Sequence, residues 1–178
     1  KPQHVYLLST AGSFLGFGYY LLGEFDNALK FTEKGLKMQR DIESPRYLSL
    51  GHSILSRIHY DIGQWEEAKV QAEQALKLSQ TNQEKFAEGV SWLLLGRAGG
   101  KMEKTQVDVA EEYILRGMKL LEELEIKPYF SQGHFFLGEL YADAGLKEKA
   151  LENLKKAERL FQEMGMDYWL DRTRTLLA

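Results

Sequence analysis

A chain of 178 residues, 44% hydrophobic and 28% charged, has the composition of a globular domain large enough to bury its own core. It contains no cysteine, which excludes disulfides, thiolate metal sites and cysteine nucleophiles and fits a reducing, cytoplasmic compartment. The net charge of −3 lacks the basic excess of a nucleic-acid binder, and no apolar run approaches the roughly 18 residues of a membrane span, so neither nucleic acid nor membrane is an expected direct partner.

The start, Lys1-Pro2-Gln3-His4, has neither an initiator Met nor a signal-peptide core, and reads as a cut from a larger protein. From there the chain repeats itself. The first copy, about residues 4–43, carries Leu15-Gly16-x-x-Tyr19, then Gly23, Ala28 and Gly35. The second, about 44–82, carries Leu55-Ser56-x-x-His59, Gly63, Ala68 and Ala75. The third, about 83–126, carries Leu95-Gly96-x-x-Gly99, Ala110 and Gly117, and the fourth, about 127–165, Leu137-Gly138-x-x-Tyr141, Gly145, Ala150 and Ala157. The leucine anchors are 40, 40 and 42 residues apart.

Each copy reads as two helices, because apolar residues recur at three and four, as in Phe86, Val90, Leu93 and Leu94. Pro2, Pro45 and Pro128 fall where first helices should begin. Ser44 and Thr81 or Asn82 are expected N-caps. Gly23, Gly63 and Gly145 are expected to close first helices in the left-handed conformation, and Asp26, Glu66, Glu67 and Glu148 to favour the positive starts of second helices. Glycine costs about 1 kcal/mol in a helix interior. A periodic set therefore implies close helix crossings at Gly16, Gly96 and Gly138, met from the second helix by Ala28, Ala68, Ala110 and Ala150, with Tyr19, Phe25, Trp65, Trp92 and Tyr141 filling the remaining space. The segment Gly99–Thr105 adds two residues to copy three and reads as a loose surface hinge.

Trp92-x2-Leu95-Gly96, together with Leu15-Gly16-x2-Tyr19 and Leu137-Gly138-x2-Tyr141, resembles the tetratricopeptide repeat (TPR) family, in the long 40–42-residue form found in bacterial multidomain signalling proteins. That resemblance covers nearly the whole chain. It implies an all-α, right-handed superhelical array of α-α hairpins, a TPR-like solenoid of four repeats in one domain, 1–178, ending in a capping helix at 167–178. Gly165 would end the helix before it and Asp167 would cap it. Trp169, Leu170 and Leu176 would cover the last repeat, while Arg172 and Arg174 face water.

No catalytic or cofactor motif is present. Leu15-Gly16-Phe17-Gly18 lacks the third glycine and the strand of a dinucleotide loop. His52 and His59, seven residues apart, lie about 10 Å apart along a helix axis, too far to share a metal ion. With His134 they read as packing histidines, so no metal, no cofactor and no enzyme activity is expected.

The resemblance places groove columns along the first helices: Ser13, Ser53, Leu93, Phe135; then Phe17, Arg57, Arg97, Glu139; then Tyr20, Tyr60, Gly100, Ala142; then Leu21, Asp61, Lys101, Asp143. Phe17, Tyr20, Ser53, Arg57, Tyr60, Leu93, Arg97, Phe135 and Glu139 are the expected partner-binding residues, an aromatic and basic half passing to an acidic end at Glu139 and Asp143. Tyr20 and Tyr60 equally suit packing between successive first helices. Ser13 and Phe17 stand where the family's chaperone-tail clamp has Lys and Asn, so that ligand is not implied. The expected function is a protein- or peptide-binding module in a larger signalling protein. A small-ligand-sensing domain coupled to an ATPase, cyclase or DNA-binding effector is the alternative. Val5, Tyr6, Leu7 and Leu8 form an apolar first surface, a route to homo-oligomers.

Overall fold

The computed structural model describes residues 2–42, 47–102 and 106–178, with side chains from Leu7 onward. Among these residues all regular structure is α-helical, as the repeat reading requires. Four hairpins follow one another: α1 (Pro2–Leu21) with α2 (Phe25–Asp41), α3 (Leu48–Asp61) with α4 (Trp65–Thr81), α5 (Lys85–Met102) with α6 (Val107–Glu123), and α7 (Lys127–Asp143) with α8 (Lys147–Met164). A last helix, α9 (Asp167–Leu177), closes the chain.

The hairpin turns are made as expected. Gly23, Gly63 and Gly145 take φ values of 75°, 81° and 75°, and Gly165 at 65° ends α8. Asp26, Glu66, Glu67 and Glu148 lie in the first turns of second helices. Between hairpins the chemistry differs from the expected caps. Thr81 is the last residue of α4, its hydroxyl donating back to the Lys77 carbonyl at 2.8 Å, and Asn82 is a C-terminal rather than an N-terminal cap. The reversal is carried by Gln83 at φ 55°, and by Glu125 at φ 57° one hairpin later. Asp167 opens α9 as its first residue instead of capping it. Ser44 and Pro45 lie outside the described residues. Gly99 and Gly100 belong to α5, which runs on to Met102, so the expected loose hinge is shorter than its sequence suggests; residues 103–105 are outside the described set.

Small residues set the spacing of the helices. A Cβ on Gly96 would come within 2.6 Å of the Ala110 carbonyl oxygen, and one on Gly117 within 2.6 Å of the Gly89 carbonyl oxygen. Where copy two has Ser56 instead of glycine, its hydroxyl donates to the Ala68 carbonyl across the same crossing at 2.8 Å. Ala28, Ala68 and Ala157 are fully buried against these crossings. Trp92 and Tyr141 fill the space between, but Trp65 remains 37% exposed at the start of α4.

The first helices α1, α3, α5 and α7 touch in series and form the inner layer. Each second helix packs on its own partner and on the next first helix, and so lies outside. The main core joins repeats three and four with α9 through Leu93, Phe136, Phe161 and Trp169; a smaller cluster around Tyr20, Leu36 and Ile58 holds repeats one and two. Leu7 and Leu8 are 63% and 61% exposed at the open N-terminal end; Val5 and Tyr6 lie outside the residues whose side chains are described.

Candidate functional site

The inner layer curves tightly enough to bring the first repeat against the last helix. Tyr20 of α1 meets Tyr168 of α9 edge-on, ring centroids 6.0 Å apart. Arg57 of α3 lies 5.5 Å from the Tyr129 ring of α7 and 5.9 Å from the Trp169 ring of α9. The concave face is thus a narrow cleft, with α9 laid along one side of it.

Charges at its closed end compensate one another. Arg97 of α5 donates to Glu139 of α7 from Nε at 2.7 Å and from Nη2 at 3.0 Å, and its Nη2 also reaches Asp61 at 3.5 Å. Its guanidinium lies 3.8 Å from the Tyr60 ring centroid and 4.5 Å from that of Phe136. Asp61 accepts from Tyr20 at 2.8 Å and from Arg172 Nη2 at 2.9 Å. Burial by itself would raise the Asp61 carboxyl, but hydrogen bonds from Arg172 and the charge of Arg97 outweigh it and hold its pKa below the ordinary value. Burial first, then the neighbouring Asp61 carboxylate, push the Tyr20 hydroxyl well above its ordinary range, so it stays a neutral donor. Lys101 pairs with Asp143 further along the same two helices.

Three sequence expectations are corrected here. The basic half and acidic end of the groove are not separate regions, because Arg97 and Lys101 are neutralised by Glu139 and Asp143 one repeat on. Arg172 does not face water: its side chain is 28% exposed and bonded to Asp61, since α9 turns that face into the cleft. Leu176, expected to cover the last repeat, is instead 44% exposed, while Trp169 and Leu170 are buried; Arg174 is half-exposed beside Glu158.

The nine residues singled out in the sequence all lie on the inner helices. Tyr20, Leu93 and Phe135 are buried completely or nearly so, at 0%, 0% and 1% exposure, and Tyr60, Ser53 and Arg97 are buried as well. Only Phe17 and Glu139 are partly open. The open part of the cleft contains two hollows that share Phe17 and Tyr129 as a common wall. One, of about 90 Å³, also has Phe14, Leu50, Phe86 and Arg57 in its lining. The other, of about 270 Å³, lies between Phe17 and Leu21 on α1 and Pro128, Tyr129 and Gln132 on α7, against the start of α9. Phe14, Tyr129, Gln132 and Tyr168 were not singled out from the sequence. Phe14 stands in an apolar column with Ile54, Leu94 and Phe136, and Tyr129 in one with Tyr47, columns outside those the resemblance assigns to the groove, and Tyr168 arrives from outside the repeats.

The histidines behave as packing residues. Nδ1 of His52 hydrogen-bonds Gln71 at 2.7 Å, that of His59 bonds Gln64 at 2.7 Å, and that of His134 bonds Asn153 at 3.0 Å. Among the described residues no group of three or more His, Cys, Asp or Glu is placed to hold a metal ion, and no helix is long and apolar enough to cross a membrane.

Solved structures share this architecture. A Rap protein complexed with competence and sporulation factor is similar with a TM-score of 0.74 and 18% identity, over 97% of this chain and 47% of that one. Aspartyl phosphate phosphatase F from Bacillus subtilis is similar with a TM-score of 0.68 and 20% identity, over 94% and 44%. BtubC from P. vanneervenii is similar with a TM-score of 0.66 and 22% identity, over 93% and 66%. The chain thus spans between 44% and 66% of these proteins, and at such identities they share its fold. No curated protein matches it significantly. The profile of the MalT-like TPR region matches residues 1–176, nearly the entire sequence, and the chain belongs to that family.

Proposed function

We propose that the chain is a non-catalytic interaction module that holds an extended segment of a partner protein or peptide in the concave cleft, within a larger regulatory or signalling protein of the cytoplasm. The observation that carries this reading is the pair of hollows flanking Phe17 and Tyr129. They form an elongated, aromatic-lined trough on the inner helices, whose backbone the repeats hold rigid. A Rap protein of the same fold has been seen complexed with competence and sporulation factor, which supports occupancy of such a surface by a partner. The likeness to a protein named as a phosphatase concerns the fold and brings no reaction with it. Exposed Leu7 and Leu8 favour contact with a neighbouring repeat or a second copy of the chain at the N-terminal end.

Selection from a random peptide library tests the reading. Peptides captured by the chain should lose at least tenfold in affinity on Phe14→Asp plus Phe17→Ala, and keep it on Leu115→Asp on outer helix α6. Selected peptides indifferent to the first pair and sensitive to the second would overturn it. Captured small molecules in place of peptides would favour the ligand-sensing alternative.

A further inference from the structure

A hollow of about 640 Å³, larger than either hollow of the cleft, opens where α7 starts, between the ends of α6 and α8. From α7 it takes Lys127, Phe130 and Ser131, whereas the cleft takes Tyr129 and Gln132, and the two surfaces share no lining residue. Leu121, Ile126, Phe130, Leu160 and Met164 form its apolar part, and the last four are only partly buried. The repeat does not require an opening here. At the preceding junction, 42 residues earlier, Ser79 stands for Leu121, Gln80 for Glu122, Gln83 for Glu125, Glu84 for Ile126 and Glu88 for Phe130. That junction is closed by its own polar side chains: Gln80 donates to Glu88 at 3.3 Å, Lys85 to Glu88 at 2.8 Å, and Ser49 to Glu84. The later junction keeps the turn, with Glu125 in the positive φ of Gln83, but Lys127 has Phe130 three residues on where Lys85 has its partner Glu88.

The rim of this hollow is acidic. Glu122 and Glu125 are exposed and have no ion-pair partner among the described residues. Glu163 has Arg159 one turn back at 3.8 Å, an exposed pair that salt and water screen. The C-termini of α6 and α8 add partial negative charge, while Lys127 offsets one of the three carboxylates. We propose that the hollow is a second docking surface, for a basic segment of a partner protein. One large apolar side chain of that segment enters between Phe130 and Met164, and lysine or arginine on either side of it meets Glu122, Glu125 and Glu163. An apolar floor inside a polar rim is the anatomy of a protein interface, and the volume suits one or two side chains. The floor supplies the affinity, and the carboxylates select the sign of the charge and repel an acidic segment. With no residue shared with the cleft, this surface stands or falls apart from the reading above.

The test uses three capped pentapeptides with a common apolar centre: Lys-Lys-Phe-Leu-Lys, Gln-Gln-Phe-Leu-Gln and Glu-Glu-Phe-Leu-Glu. In NMR titration of the unsubstituted chain, the basic peptide should bind about tenfold more tightly than the neutral one, and the acidic one most weakly. Methyl signals of Leu160 and Met164 should shift, and those of Leu50 in the cleft should not. Glu122→Gln plus Glu125→Gln gives this junction the amides that Gln80 and Gln83 supply one hairpin earlier, so the fold is kept. It should remove most of the preference for the basic peptide and leave the neutral one unaffected. Phe130→Glu copies Glu88 of the earlier junction. It adds a negative charge, yet should weaken the basic peptide about tenfold, because the apolar floor is lost. Tighter binding of the basic peptide to Phe130→Glu would reveal diffuse attraction to an acidic surface and overturn the proposal. Equal affinity of the basic and neutral peptides overturns it too, as do shifts at Leu50 in place of Met164. Binding of 2-phenylethylammonium as tight as that of the basic peptide would make a free cation the occupant and overturn the partner segment.

Discussion

Arg172 on the final helix and Asp61 at the end of α3, 111 residues apart in sequence, are joined by two hydrogen bonds, that from Nη2 measuring 2.9 Å. Asp61 is nearly fully buried, and Tyr20 adds a third hydrogen bond from the first repeat. One carboxylate therefore ties α1, α3, α5 and α9 together. Removing one member of a buried ion pair strands the other, at about 3 kcal/mol. Asp61→Ala and Arg172→Ala should each lower unfolding stability by about that much in urea titration, and the double variant by clearly less than the sum. Additive losses would mean that the pair does not hold α9 in the cleft.

The glycine columns predict opposite outcomes for the same substitution. A methyl group on Gly96 would meet the Ala110 carbonyl at 2.6 Å, so Gly96→Ala should destabilise by about 1–3 kcal/mol. Gly18, also helical, has nothing within 4 Å of a Cβ, so Gly18→Ala should stabilise by about 0.5–1 kcal/mol. Thermal melts of the two variants moving in the same direction would contradict the assigned crossings.

Much of this architecture could be read directly from residue spacing, because a repeat prints each contact several times. Gly16, Gly96 and Gly138 recur with Ala28, Ala110 and Ala150 since the same crossing is built each time. The hairpin turns followed from Gly23, Gly63 and Gly145 for the same reason. Contacts made only once left no such trace. Gln83 and Glu125 take positive φ without being glycine, and Thr81 bonds back into α4 where a cap was expected. The closure of the cleft by α9 belongs to this class. Trp169 could be foreseen as a cover for repeat four, but the reach of Tyr168 and Arg172 to repeats one and two depends on accumulated superhelical curvature, to which every hairpin contributes a little. The charge columns misled for a related reason. Arg97 and Glu139 lie in one column, and a column read along the groove does not reveal that successive members bond to each other.

Two histidines give the stability a defined pH dependence. Burial is the main reason that His52 and His134 have pKa values below 6.5, despite the hydrogen bonds their rings make to the side-chain oxygens of Gln71 and Asn153, which favour the charged ring. The unfolded chain therefore binds more protons than the folded one as pH falls below 6.5, and stability falls with it. The melting temperature should drop between about pH 6.5 and 5, and His52→Gln plus His134→Gln should flatten that slope. An unchanged slope in the double variant would assign the drop to other groups.

The central claim, occupancy of the concave cleft by a partner segment, is tested most directly by photocrosslinking. Benzoylphenylalanine placed at Phe14, 56% exposed at the rim of the smaller hollow, should capture the selected peptides in high yield, and the adducts should disappear on Phe17→Asp. The same group at Leu115, 46% exposed on outer helix α6, should capture none. Adducts at Leu115 with none at Phe14 would place the binding surface on the outside of the array and contradict the account.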